Sequence, residues 1–206
     1  ENWMNKYFSC SEKVKIDLFL RYGSIAAAGD RHLAEFCPGD WYLKDKETVE
    51  KWGFALTPVS WRKCDLEKRL ERSERLYSGE EKFELKETGE EGVQQIRALL
   101  GLGDLVTNVN IPNYGQIPNL PIGAVVETNA CFRANSLNPV FAGNIPQAIY
   151  PLISRVCGEQ EQVVDCALNR DLDGVFNAFA ADPNMCISVS DARKLFDEMV
   201  DNTKEY

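Results

Sequence analysis

The chain has 206 residues, of which 44% are hydrophobic, and this length and composition favour one domain with one substantial core over residues 1–206. Its 23 Lys and Arg residues against 32 Asp and Glu residues give a net charge of −9, which argues against a nucleic-acid partner because little positive charge is present to neutralise phosphates. No run of about 20 apolar residues occurs, so no membrane span is expected.

The seven cysteines are an odd number and form no CxxC pair. This usage does not fit a disulfide framework, and a reducing cytoplasm is the expected location. The sequence begins with Glu1 and contains no strand followed by a glycine-rich phosphate loop. We expect it to be a piece of a longer protein.

The first half of the chain is predicted to be helical. Apolar residues at helical spacing predict a helix over 13–28 that Gly29 ends, and Pro38 to Asp40 is predicted to form a turn. The highly charged segment 65–83 predicts a solvated helix. Five aromatic rings either belong to the core or wall a sugar site: Trp41, Tyr42, Trp52, Phe54 and Trp61.

The second half combines strands and helices. Thr88 and the residues after it resemble a capped helix start, and Gly101 and Gly103 are stop signals. Alternating side chains over 105–111 and 124–128 predict two paired strands. Three further helices are predicted, over 146–157, 161–181 and 191–204, with Ser188 and Ser190 as candidate N-caps of the last.

The loop between the two predicted strands, residues 110–121, is rich in asparagine and glutamine side chains. Amides both donate and accept hydrogen bonds, which suits the recognition of sugar hydroxyls. Turn chemistry alone also selects Asn, Gly and Pro in such a segment. The sequence leaves both interpretations open.

A cluster of ionisable side chains falls within six positions: Asp30, Arg31, His32 and Glu35. Asp30 is a candidate general base beside two cationic groups, and a structural salt bridge at a helix end explains the same pattern. His32 is the only histidine, and no cysteine stands at a usual ligand spacing from it, so no metal site is expected within the chain. The lack of a second histidine and of a GxSxG turn disfavours nucleophilic acyl chemistry.

Three segments resemble the family 4 glycoside hydrolases, specifically their alpha-galacturonidase branch. They are RYGSIAAAGDRHLAEF at 21–36, TNVNIPNYGQIPNLP at 107–121 and AVVET at 124–128. The resemblance runs over nearly the whole chain. It implies an α+β fold similar to the lactate and malate dehydrogenase C-terminal domain, with a small, mostly antiparallel sheet covered by several helices. It also implies that the N-terminal dinucleotide-binding domain lies outside this chain.

The resemblance implies an unusual hydrolysis that uses NAD and a divalent metal, with manganese expected. In that reaction C3 of the sugar is oxidised, the C2 proton is removed, the C1 leaving group is eliminated, water is added and the hydride returns. The family's cysteine and histidine metal ligands are expected upstream of Glu1, so His32 is not one of them. Neither cofactor is expected to bind fully to this chain alone, which should be inactive.

The resemblance also implies roles for individual residues. Asp30 corresponds to the candidate C2 base of the alpha-acting members. Arg31 and His32 become candidates for binding the C6 carboxylate of a uronide, because a guanidinium holds a carboxylate through two charge-assisted bonds. Asn113, in the amide-rich loop, is a weaker candidate for substrate contact.

Two alternatives remain open at the level of sequence. A 2-hydroxy-acid dehydrogenase would share the fold ancestry but would reduce free NAD, whereas the hydrolase recycles it. A non-catalytic assembly fragment would use apolar surface, normally covered by the missing half, for self-association. A homo-oligomer is the expected assembly.

Overall fold

The computed structural model describes residues 12–86 and 89–204. The helices are α1 Lys13–Tyr22, α2 Asp30–Glu35, α3 Gly39–Tyr42, α4 Lys46–Trp52, α5 Val59–Ser78, α6 Gly92–Leu99, α7 Tyr150–Asn169, α8 Leu172–Ala181 and α9 Val189–Thr203. The strands are β1 Leu105–Pro112, β2 Val125–Arg133 and β3 Ser136–Pro139. None of these helices has the combination of length and apolar character that crossing a membrane requires.

The α+β class predicted from sequence is confirmed, with one small antiparallel sheet in the order β1-β2-β3. Both predicted strands are present, and each is longer than predicted. The sequence analysis missed β3, a four-residue strand that ends in proline and is too short to show a clear alternation. Asn135 makes the tight turn before it with a φ of 52°, a conformation that asparagine tolerates better than most residues.

The chain divides into two compact units. The first consists of Glu1–Phe54, Val109–Thr128 and Pro139–Tyr206, and the second of Ala55–Asn108 and Asn129–Asn138. Strands β1 and β2 each run from one unit into the other along the chain.

The core of the first unit is built around Tyr42, which is 1% exposed. It packs with buried residues of α1 and α2, and its ring lies edge-on to Trp52 with 4.8 Å between centroids. Trp41, Trp52 and Phe54 are partly buried against the same cluster. The core interpretation of the aromatic residues is therefore correct for these four rings, whereas Trp61 is exposed.

The C-terminal helices of the same unit pack closely on one another. Phe196 of α9 lies between Phe176 and Phe179 of α8, with ring centroids 5.5 and 5.6 Å apart. Gly174 allows α8 to approach α7, because a Cβ atom there would lie 2.4 Å from the Cys166 sulfur. A larger residue at position 174 would also meet the Asp171 carboxylate, and it would displace this side chain and that of Cys166.

The predicted first helix ends earlier than expected. Gly23 adopts a φ of 70° and donates its N–H to the Phe19 carbonyl at 2.8 Å, which closes α1 six residues before Gly29. The prediction that the ionisable cluster follows a helix exit is therefore wrong. Asp30 instead begins a new short helix, α2, with Gly29 at its N-cap.

Three other boundaries also differ. The segment predicted to turn at Pro38 forms the short helix α3. Helix α7 continues through Gly158, because one helical glycine costs only about 1 kcal/mol. The helix ends at Asn169, and its C-cap Arg170 has a φ of 57°. Helix α6 begins at Gly92 with no side-chain cap, and Thr88 of the predicted capping box lies outside the described residues.

The second unit holds the charged helix that was predicted over 65–83 and that spans 59–78 as α5. Arg72 and Arg75 near its C-terminus both contact Glu81, at 2.7 and 3.4 Å. Elsewhere in this unit, Arg133 pairs with Asp104 at 3.2 Å, and Thr107 donates a hydrogen bond to Glu91.

We expect Ser188→Ala to lower the free energy of unfolding by about 1 kcal/mol, because Ser188 is the N-cap of α9 and its hydroxyl accepts the Asp191 N–H at 3.2 Å. Urea unfolding followed by circular dichroism measures the change. Ser190→Ala is the matched control, since among the described residues that hydroxyl bonds to the Ser188 hydroxyl and to no backbone N–H. Equal losses in the two variants would contradict the capping role.

Candidate functional site

Asp30 uses its carboxylate to cap α1. Its two oxygens accept the backbone N–H groups of Val14 and Lys15 at 3.1 and 3.0 Å. The first N–H groups of a helix have no partner within the helix, and a carboxylate at this end also interacts favourably with the helix dipole. Asp30 therefore connects the start of α2 to the start of α1.

Helix α1 needs this external cap because its own N-cap residue does not provide one. Glu12 occupies that position with a φ of 58°, and its side chain makes no capping hydrogen bond. It pairs instead with Lys15 at 2.9 Å. A cap from a residue 16 positions along the chain has no sequence signature, which explains why the analysis of local patterns did not predict it.

Arg31 and His32 continue the first turn of α2. Arg31 Nη2 lies 3.4 Å from His32 Nε2, and His32 Nδ1 lies 3.5 Å from Glu35 Oε2. Arg31 is half-buried and His32 is exposed. The structure therefore brings Asp30, Arg31, His32 and Glu35 together along one short helix, with the imidazole open to solvent.

Asn113 is fully buried at the end of β1, and the loop between the strands is organised around it. Its amide nitrogen donates to the carbonyls of Ile117, Leu120 and Pro121 at 2.9 to 3.1 Å. Its amide oxygen accepts the N–H groups of Gly115 and Ile117. All of its hydrogen-bonding capacity is used inside the loop.

Two other amides of this loop, those of Gln116 and Asn119, also bond to the protein backbone. Gln116 donates to the Pro112 carbonyl and accepts the Tyr114 N–H. Asn119 forms a reciprocal pair of hydrogen bonds with the backbone of Ile145, at 2.8 and 2.9 Å. The turn interpretation of these amides accounts for their contacts.

An apolar cavity of about 550 Å³ lies in the first compact unit, which also holds Asp30 and Asn113. Its lining includes Leu33 of α2, Phe36 directly after that helix, and side chains of α7 such as Ile153. The charged residues in its lining are Glu127 and Glu161, which disfavour an anionic ligand. The four candidate residues Asp30, Arg31, His32 and Asn113 are not among the lining residues.

A partly buried polar cluster, which the sequence analysis did not single out, connects α1 and α3. The Tyr42 hydroxyl donates to Asp17 Oδ2 at 2.5 Å and accepts a hydrogen bond from Arg21, which also pairs with Asp17 at 2.9 Å. Burial, followed by the hydrogen bond to Asp17, raises the pKa of Tyr42 above its usual value. The spacing of Asp17 and Arg21, four residues apart on one helix, is the sequence signal that predicts half of this cluster.

The described residues do not fit a resident metal ion. Within 12–86 and 89–204, no three His, Cys, Asp or Glu side chains come together as a ligand set. The chain also lacks the glycine-rich loop that holds a dinucleotide pyrophosphate. A metal or NAD would therefore need ligands from outside these residues.

Comparison with known families agrees with this division. Residues 1–185 match the family 4 glycosyl hydrolase C-terminal domain. The chain belongs to the family 4 glycosyl hydrolases. This confirms the resemblance seen in the sequence, and the matched domain is the C-terminal one.

Several curated proteins are similar over the full chain. An alpha-galacturonidase of Thermoanaerobacterium saccharolyticum is 65% identical over 205 residues, which is 100% of this chain and 44% of that protein. An alpha-galacturonidase of Bacillus subtilis is 48% identical and covers 97% of this chain and 44% of its own length. The chain thus spans less than half the length of these relatives.

Solved structures share the fold. The crystal structure of lplD from Bacillus subtilis superposes with a TM-score of 0.84 at 48% identity, over 97% of this chain and 45% of that one. A 6-phospho-beta-glucosidase of Thermotoga maritima, solved with manganese, NAD⁺ and glucose-6-phosphate, has a TM-score of 0.63 at 22% identity, over 82% and 41% of the two chains. At this identity the second likeness shows the fold alone.

We expect Asn113→Ala to lower the free energy of unfolding by about 3 kcal/mol or more, because it leaves several buried carbonyl and N–H groups of the loop without partners. Thermal unfolding measures the loss. Asn110→Ala, at an exposed strand position whose side chain makes no hydrogen bond to the described residues, is the control and should change stability by less than about 1 kcal/mol. Wild-type stability in Asn113→Ala together with weakened substrate binding would instead favour direct contact with the sugar.

Proposed function

We propose that the full-length protein hydrolyses alpha-galacturonides and that this chain is its C-terminal substrate-binding domain, formed by both compact units. The observation that carries the proposal is the agreement among close relatives. Four curated alpha-galacturonidases are 48% to 65% identical to this chain over 97% to 100% of its length. Two alpha-galactosidases, whose name refers to the neutral sugar galactose, are 24% identical to this chain.

The proposal assigns recognition of the uronate carboxylate to Arg31 and His32. These residues lie next to each other at the start of α2, with the imidazole exposed. A guanidinium and an imidazole together provide donors that can meet both oxygens of a carboxylate. The cap formed by Asp30 fixes the helix turn that carries them, so their backbone positions are set by α1.

The proposal keeps Asp30 as the acceptor of the C2 proton. Asp30 is half-buried, and both of its oxygens also accept capping hydrogen bonds. To act as the base, one oxygen must use its second lone pair toward the substrate. Asn113 is proposed to act indirectly, by holding the loop that follows β1, because its own amide is saturated.

We further propose that the full-length protein uses NAD and manganese, held by residues outside this chain. Structural neighbours with the same fold were solved with NAD and manganese, which supports this assignment. A cytoplasmic location is proposed from the seven cysteines without CxxC pairs. A homo-oligomer is proposed as the assembly.

We expect Arg31→Ala in the full-length protein to lower kcat/KM for an alpha-galacturonide by about 10- to 100-fold, because a charged hydrogen bond contributes about 1.5–3 kcal/mol. The matching alpha-galactoside, which lacks the C6 carboxylate, should change by less than about threefold. Arg97→Ala, at an exposed arginine of α6, is the control and should affect neither substrate. Equal losses on both sugars would contradict carboxylate recognition.

We expect Asp30→Asn to separate the two roles of this residue. Asparagine has a single acceptor oxygen and keeps one of the two capping hydrogen bonds, so it should lose less stability than alanine, whereas loss of the carboxylate should stop exchange of the substrate C2 proton with solvent. Asp30→Ala should lose both the exchange and about 1 kcal/mol of stability. NMR of the sugar in D₂O measures the exchange. If the Asp30→Asn variant still exchanges the C2 proton of the substrate at the wild-type rate, Asp30 is not the base and acts only as a cap.

A further inference from the structure

Helix α5 presents apolar side chains along one exposed face. Four of them fall within about 20° of one line on the helix at about 100° per residue, and we call them the α5 stripe: Val59, Leu66, Leu70 and Tyr77. Their exposed fractions are 69%, 56%, 57% and 96%. None of the 20 residues of α5 is buried within this chain.

An exposed helix of this kind needs a partner. Isolated helices are only marginally stable, and most of the stability of a helix in a protein comes from burial of its apolar face. The α5 stripe, together with Lys63 and Ser73 on the same face, follows the alternating four- and three-residue spacing of a coiled-coil seam. This spacing is suited to another helix that lies along α5.

The charges beside the stripe specify which helix fits. Arg62 and Arg69 lie along one side of it, and Glu67 and Glu74 lie along the other. In a parallel pair of identical helices in register, each arginine faces the glutamate five positions later on the second copy. In an antiparallel pair, arginine would face arginine and glutamate would face glutamate, which is repulsive.

Three of these four charges are available for such pairing. Within the described part of the chain, Arg62, Glu67 and Glu74 have no salt-bridge partner, and Arg69 pairs with Asp65 of its own helix at 2.8 Å.

We propose that α5 packs in parallel and in register against α5 of a second copy of this protein, which covers the α5 stripe. This names the contact surface of the homo-oligomer that forms part of the proposed function.

Cysteine cross-linking of the full-length protein tests the arrangement. In the parallel pair, position 66 of one copy faces position 66 of the other, whereas in an antiparallel pair centred on the stripe it faces position 70. Leu66→Cys should therefore form a covalent dimer with a mild oxidant. Lys68→Cys, on the opposite side of α5, is the control and should remain monomeric on a non-reducing gel, as should the wild type with its native Cys64. Cross-linking of Leu66→Cys no greater than that of Lys68→Cys would overturn the proposal.

A charge exchange tests the specific pairing. Arg62→Glu places glutamate opposite Glu67 of the second copy at two symmetric sites, and it should raise the dimer dissociation constant about tenfold in sedimentation equilibrium. Adding Glu67→Arg should restore the constant to within about threefold of wild type. Lys68→Glu makes the same change of charge on the opposite side of α5 and should have no effect. Failure of the second substitution to rescue the first would contradict the pairing.

Leu66→Glu distinguishes a second copy from the remainder of the same protein as the occupant of the stripe. If the proposal is correct, this variant dissociates the oligomer at concentrations where the wild type is assembled. A lower melting temperature with unchanged mass would show that the stripe packs within its own chain, and a wild-type protein that is monomeric at all concentrations would equally overturn the proposal. These readouts do not use hydrolysis, so their failure and the failure of the galacturonidase assignment are distinguishable.

Discussion

The hydrogen bonds from the start of α1 to the Asp30 carboxylate connect the two elements on which the candidate site depends. Helix α1 lacks a local N-cap, so residues 13–15 would otherwise begin a helix with unpaired N–H groups. The carboxylate accepts two of these groups and fixes the first turn of α2 at the same time. Arg31 and His32 follow directly in the chain, and the cap therefore determines where their side chains begin.

The site is consistent with a domain that recognises substrate and leaves the cofactors to other residues. Its described residues provide cationic groups beside Asp30 but no assembled metal ligands. The apolar cavity next to α2 has acidic groups in its lining, which disfavours it as a site for a uronate carboxylate and supports the proposal that Arg31 binds this group. Full-length relatives are more than twice as long as this chain, which leaves ample sequence to hold a dinucleotide and a metal.

Local patterns predicted most elements because local forces determine them. The alternation in β1 and the serine cap of α9 were visible in sequence, and both are present. The end of α1 was missed because a glycine at position 23 in the left-handed conformation outweighed the apolar pattern that continues past it. The cap by Asp30 and the saturated amide of Asn113 depend on the folded path of the chain, so sequence reasoning identified both residues but not their contacts.

Amide hydrogen exchange at Val14 and Lys15 in the full-length protein tests the role of Asp30 as the cap of α1 most directly. If the carboxylate holds these two N–H groups, both should exchange about tenfold faster in Asp30→Ala than in wild type, corresponding to about 1.4 kcal/mol of lost protection. In Asp30→Asn, whose amide has one acceptor oxygen, only one of the two N–H groups should stay close to wild type. Unchanged exchange at both amides in Asp30→Ala would show that α1 begins without this cap and that the position of Arg31 and His32 is set by something else.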